Sequence, residues 1–246
     1  MGSLYEHASI QVRSDLEAAH ERALIRISSP GTWFDGKSRI EIAKEIRDAT
    51  SCQLCRNRKT ALSPTAIDGS HDTVTELKAD VVDLVHRLVT DPARVTVKTY
   101  QQAIDNGLTD GEYVEIVGLI ASVMAIDTVG FGIACDPVPL PTPQPGKPSR
   151  KRPLGAKPGL AWMPTLAPED AEGAELEIFP GGHKAPNIRR ALSLVPAEVV
   201  GFFDLTDHQY LPTADMWKFD KRLRAISNSQ IELVAARVSA MNECFY

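Results

Sequence analysis

Seven prolines stand between residues 137 and 153, in "CDPVPLPTPQPGKPSRKRP", five of them at alternate positions. A proline ring removes a backbone N–H and fixes φ. Such a stretch cannot lie inside a helix or a central strand, and it favours extended polyproline geometry. Regular structure must therefore form on either side of it. On both sides apolar residues recur at helical spacing, and strand-like alternation is scarce. The expectation is an all-α protein in two helical halves, 1–135 and 161–246, joined by a proline-rich linker over 136–160.

Individual helices follow from periodicity and from end signals. A helix is expected over 12–28. The loop "SPGTWFDG" should end it, punctuated by Pro30, Gly31 and Gly36. "KSRIEIAKEIRDA" puts Ile40, Ile42, Ala43 and Ile46 inside a second helix. "ELKADVVDLVHRLVTDP" puts Leu77, Val81, Leu84, Val85 and Leu88 on one face and stops at Asp91-Pro92. A long apolar helix should run over 110–134, opened by a Thr109/Glu112 capping box. The segment 149–185 is loop-rich. Helices resume near Pro186 and Pro196. The last begins after Ser227, where Ser227 and Gln230 form another capping box, and carries the apolar stripe Val234, Val238 and Met241.

Composition excludes some functions. Lys+Arg 27 against Asp+Glu 32 leaves a net charge of -5, which argues against a general nucleic-acid binder. The basic run "KPSRKRP" reads as a solvated face of the linker. No unbroken apolar run has the length of a membrane span. The start, "MGSLYEHASI", lacks the basic and apolar regions of a signal peptide. A cytoplasmic protein without a membrane or nucleic-acid partner is expected. In that compartment the four cysteines, Cys52, Cys55, Cys135 and Cys244, are not expected to form structural disulfides.

The two long apolar helices match each other. "VEIVGLIASVMAID" from Val114 aligns without gaps to "IELVAARVSAMNEC" from Ile231. Glu115 falls on Glu232, Ser122 on Ser239, Met124 on Met241 and Asp127 on Cys244. Amphipathic helices share apolar spacing by construction, so the shared glutamate and the shared preceding cap carry the comparison. They suggest two related halves.

With its glutamate, its small-residue helix and Cys244, "IELVAARVSAMNECFY" resembles the redox helix of the AhpD-like alkylhydroperoxidase and carboxymuconolactone decarboxylase superfamily. In that superfamily the helix leads to a Cys-x-x-Cys followed by a histidine. Here Phe245 and Tyr246 occupy the spacer positions, and the second cysteine would be residue 247. "GTWFDGKSRIEIAKEIRDATSCQLCRNRKTALSP" is similar to the N-terminal part of a two-half subgroup, the alkylhydroperoxidase-related (seleno)proteins. The resemblance implies thiol- or selenol-dependent reduction of a peroxide by a dithiol reductant, with Cys244 and Glu232 as the matching site residues. It also implies homo-oligomerisation. The chain is then expected to be a truncated reading that ends one residue before a selenocysteine, with its activity impaired.

Geometry limits that assignment. Twelve residues separate Glu232 from Cys244, about 18 Å along an unbroken helix. Cys52 and Cys55 form the only complete C-x-x-C. One thiolate of such a pair can attack a peroxide oxygen and become a sulfenic acid, which the second thiol resolves to a disulfide. Three readings of the pair stay open: a redox pair, half of a zinc site, or two partly buried thiols at a helix start. Zinc takes four N or S ligands, and the sequence offers no second C-x-x-C and no close Cys/His pair. No metal and no cofactor are therefore expected. Cys135 reads as a core cysteine at a helix end, His86 as structural, His183 as a loop residue, and Trp33 and Phe34 as packing anchors. The rival to the redox reading is a helical interaction protein that has lost the redox centre.

Overall fold

In the computed structural model residues 3–242 and Cys244 are described. The all-α expectation holds: helices account for the regular structure, and no strand is formed among the described residues. The helices are α1 (Ser14–Ser28), α2 (Gly36–Asp48), α3 (Gln53–Thr60), α4 (Ala79–Thr90), α5 (Val97–Asp105), α6 (Asp110–Gly132), α7 (Asn187–Arg190), α8 (Pro196–Gln209) and α9 (Asn228–Met241). The two capping boxes form as read, Thr109 with Glu112 and Ser227 with Gln230.

α6 is apolar on every side, and such a helix is stable in water only when surrounded. It lies against α1, α2, α4 and α8, and α1 in turn packs on α8. One apolar core runs through these helices, from Tyr5 and Ile27 through Ile42, Val85, Ile116 and Leu119 to Val199 and Leu205. Residues on both sides of the prolines share this core. By length and composition α6 could also cross a membrane. A search for an unbroken apolar run misses it because Glu115 and Asp127 interrupt the run.

The proline-rich segment is extended, as its composition requires, but it is not a free tether. Gln144 donates its N–H to the Ser28 carbonyl at 2.8 Å, and Arg150 donates to the Thr32 carbonyl at 2.8 Å. Val138 is buried. Arg150 lies over the Trp33 ring, and Arg152 pairs with Asp110. Two arginines of the basic run therefore have partners in the first half.

Four charged groups meet where α1, α2, α6 and α8 converge. Arg39 pairs with Glu115 and, at 2.9 Å, with Glu198; Arg26 pairs with Glu198 from the other side. Arg39, Glu115 and Glu198 are buried, and Glu115 also accepts the Trp33 N–H at 2.6 Å. The helices must lie close for these pairs to close. A Cβ on Gly118 would come within 2.7 Å of the Glu198 side chain, so α6 needs glycine there.

α9 carries the apolar stripe read from its spacing, but the stripe is uncovered: Val234, Val238 and Met241 are 58%, 50% and 67% exposed. Periodicity reveals that a helix has an apolar face; it does not supply the surface that covers it. Among the described residues α9 makes no substantial packing contact with another helix. Phe245 and Tyr246, the spacer residues of the resemblance, lie outside the described residues.

Candidate thiol–imidazole centre

The centre is built on α3. Cys52 is its N-cap residue and Cys55 sits in its first turn, so the C-x-x-C straddles a helix start, as read from the sequence. Asp72 arrives from the following loop and accepts the Gln53 N–H at 2.8 Å, capping the helix from outside. Both cysteines are buried and free. With Leu54 and Ile67 they form a small apolar cluster apart from the main core.

Two histidines reach this cluster. His71 comes from the loop over 61–78, and its Nδ1 lies 3.5 Å from the Sγ of Cys52 and 3.5 Å from that of Cys55. His86 comes from α4, on the buried face that also carries Val82, Val85 and Val89. Its Nδ1 lies 3.4 Å from the Cys55 Sγ. The two rings meet edge to face, with centroids 4.5 Å apart. The two sulfurs and one nitrogen from each ring all lie within 4.8 Å of one another, so these four atoms are placed to share a metal ion; Glu45, Asp48 and His86 form a second such group.

Each imidazole is held from behind by a carboxylate. His86 Nε2 faces Glu45 of α2 at 3.0 Å, and both residues are buried. The other oxygen of Glu45 accepts the Val74 N–H at 3.1 Å and the hydroxyls of Thr73 and Thr75, which ties the loop to α2. His71 Nε2 faces Asp83 at 2.9 Å, and Asp83 also accepts from Arg58 and Arg87. A carboxylate only accepts, so His86 Nε2 carries its hydrogen toward Glu45; His71 Nε2 does the same toward Asp83, the nearer of its two neighbours, Arg58 Nη1 lying at 3.2 Å, and each Nδ1 turns toward the sulfurs.

The charges respond to one another. Burial pushes the Cys55 thiol up, but hydrogen bonding from His71 and His86 outweighs it and brings the thiol below its usual range. Burial pulls both imidazoles down, and this too is outweighed: by Asp83 and the thiols for His71, by Cys55 and Glu45 for His86, so both are raised. Glu45 is held below the usual carboxylate range because its hydrogen bonds, those of Thr73 and Thr75 foremost, exceed the cost of its burial. All three shifts run toward a Cys55 thiolate beside protonated imidazoles, the electrostatic setting in which a thiol becomes a nucleophile.

The remaining expected site residues lie elsewhere. Glu232 is half-buried next to Tyr210, whose hydroxyl is pushed up by burial and by that glutamate. Cys244 is exposed, and its N–H donates to the Ser239 carbonyl at 3.0 Å. No described contact joins Cys244 or Glu232 to the thiol–imidazole centre. Asp127, the counterpart of Cys244 in the first half, pairs with Arg47. Cys135 is half-buried just past the C-terminus of α6, packed against the core, and His183 is exposed, 3.7 Å from Glu169.

Sequence reasoning missed His71, Glu45 and Asp83 and took His86 as structural. One signal was available: a histidine among valines on the inward face of α4 needs a polar partner, and a buried glutamate one helix away supplies it. No protein-family model matches this chain, and neither a curated protein nor a solved structure does. The AhpD-like resemblance rests on the motifs alone.

Proposed function

We propose that the chain carries out thiol-dependent redox chemistry at Cys52 and Cys55, reducing a hydroperoxide at the expense of a dithiol reductant: the reaction class is that of the AhpD-like resemblance, whose matching residues are Cys244 and Glu232, and the site is the complete C-x-x-C. The observation that supports this reading is the closeness of two thiols to two imidazoles that are each backed by a carboxylate. The Cys55 thiolate attacks the outer peroxide oxygen. The O–O bond breaks, Cys55 becomes a sulfenic acid, and the departing alkoxide takes a proton from His86, which Glu45 steadies. The Cys52 sulfur then attacks the Cys55 sulfur; the S–S bond forms, and the leaving hydroxide takes up the Cys52 proton, passed through His71, to depart as water. The sum is two thiols and one peroxide giving a disulfide, an alcohol and water. An external dithiol returns the pair to its reduced form.

Both sulfurs are buried, so a peroxide reaches them only if the cover opens, and the loop over 61–78 is the exposed part of that cover. Apart from the His71 side chain this loop has no buried member. The test is peroxide consumption by the metal-free chain with an excess dithiol. Turnover that is lost in Cys55→Ser supports the reading. Turnover that survives in Cys55→Ser, or none in the wild type, contradicts it. The rival reading, a helical interaction protein without redox chemistry, draws on the uncovered stripe of α9 and expects no turnover in any variant.

A further inference from the structure

We propose that Cys52, Cys55, His71 and His86 together bind one zinc ion in a closed tetrahedral site. Zinc holds thiolate sulfur at about 2.3 Å and imidazole nitrogen at 2.0–2.1 Å. At tetrahedral angles a sulfur and a nitrogen on the same ion stand about 3.5 Å apart. The three sulfur–nitrogen separations given above, 3.5, 3.5 and 3.4 Å, have that length. Hydrogen bonding alone explains the arrangement less well. The Nδ1 of His71 is equally distant from two sulfurs, so a single N–H would have to be shared between them in a bent three-centre bond.

The surroundings fit the same ion. A zinc-bound histidine presents one nitrogen to the metal and donates its other N–H to a carboxylate or carbonyl, which fixes the tautomer. His71 does this with Asp83, and His86 with Glu45. Two thiolates and two neutral imidazoles neutralise a divalent ion within an apolar pocket of Leu54 and Ile67. Sulfur and nitrogen donors in a tetrahedron select zinc over magnesium or calcium, which prefer oxygen. All four positions are filled by protein, Cys52, Cys55 and His86 are buried, and the His71 side chain is only 8% exposed, which makes the site a closed one of the structural kind. His71 thereby fastens the loop over 61–78 to α3 and α4. In sequence the four ligands read C-x2-C-x15-H-x14-H. Neither histidine lies near the cysteines or near the other, so the chain alone does not advertise the site.

This inference does not rest on the peroxide reading, although it concerns the same thiols. A zinc-bound pair cannot be a disulfide, so metal-loaded and oxidised forms exclude one another, and the redox chemistry belongs to the metal-free form. The full chain is produced with zinc in the medium, its metal content is measured, and the stripped protein is titrated with cobalt(II). We expect one equivalent of zinc per chain. With cobalt we expect the intense visible bands of a tetrahedral ion and a near-ultraviolet thiolate-to-cobalt band, both abolished by one equivalent of zinc. Cys52→Ser should halve the thiolate band. Asp83→Asn should keep the spectrum while weakening zinc binding about 10- to 100-fold, the mark of a residue that positions a ligand. If Cys52→Ser does not fold, the wild-type spectrum and its displacement by zinc still decide. A wild-type chain that takes up no cobalt, or gives the pale spectrum of an octahedral ion without a thiolate band, overturns the proposal. A chain that binds zinc but consumes no peroxide once stripped supports the proposal and overturns only the redox reading.

Discussion

Removing Glu115 should be among the most destabilising single changes in this chain. Glu115 and Arg39 are buried, and Glu115 also accepts the Trp33 N–H. Two arginines and two glutamates balance one another across α1, α2, α6 and α8. Glu115→Leu leaves two arginines facing Glu198 alone, with one positive charge unmatched in the core. Breaking a buried pair from one side costs about 3–5 kcal/mol, because the remaining charge keeps its desolvation penalty. The orphaned Trp33 amide lies within the same disruption, so about 4 kcal/mol in total is a fair expectation. For a chain of this size that corresponds to roughly 8–16 °C in melting temperature. Arg39→Met in the Glu115→Leu background removes the unmatched charge and leaves Arg26 with Glu198 as a neutral pair. The double variant should then recover most of the loss, falling within about 2 kcal/mol of wild type. Urea denaturation followed by circular dichroism at helical wavelengths measures all the variants. Glu115→Leu costing under about 1 kcal/mol would refute the reasoning. So would a double variant whose loss equals the sum of the two single losses.

Other predictions concern single positions. Burial lowers His20 to about 4, whereas the unfolded chain takes up that proton near 6.5. The unfolded state therefore binds more protons between those values, and stability falls as pH drops from about 6.5 to 4, by roughly 3 kcal/mol in all. His20→Gln should flatten that part of the stability–pH curve; an unchanged slope would show that His20 is not its source. Gly118→Ala should cost about 1–3 kcal/mol, since the new methyl group meets Glu198 at 2.7 Å and forces α6 and α8 apart. Glu45→Gln removes the charge behind His86 and weakens the anchor of the loop at Thr73 and Thr75. It should raise hydrogen exchange across residues 67–75 while leaving α1 and α8 protected, and a uniform rise over the whole chain would contradict that local role.

The legible parts of this sequence are those in which local chemistry decides. α6 and α9 start where a hydroxyl and a Glu or Gln stand three residues apart, and α2 buries Ile40, Ile42, Ala43 and Ile46, the residues read as its inner face. α5 went unseen because only Tyr100 and Ala103 are buried along its nine residues, too few to make a stripe. The C-x-x-C was legible as a pair at a helix start, but its two histidines were not. His71 lies in a loop without periodicity, and His86 reaches the sulfurs only because α4 packs on α3. The charged quartet was hidden for the same reason: Arg26 and Glu198 are 172 residues apart and meet only once α1 and α8 are docked. The apolar stripe of α9 is the converse case, since the pattern was real but the surface to cover it is not provided by the described helices.

The central claim is that Cys52 and Cys55 act as one chemical unit. Its most direct test is mass spectrometry of peptides from the metal-free chain, treated with one equivalent of hydroperoxide and then with a thiol-blocking alkylator. The account predicts that Cys52 and Cys55 are recovered joined to each other, while Cys135 and Cys244 are recovered alkylated. Their two sulfurs lie within 4.8 Å, close enough to close a bond with little movement of the chain. Cys52 and Cys55 recovered separately alkylated, or overoxidised without ever being joined, would contradict it.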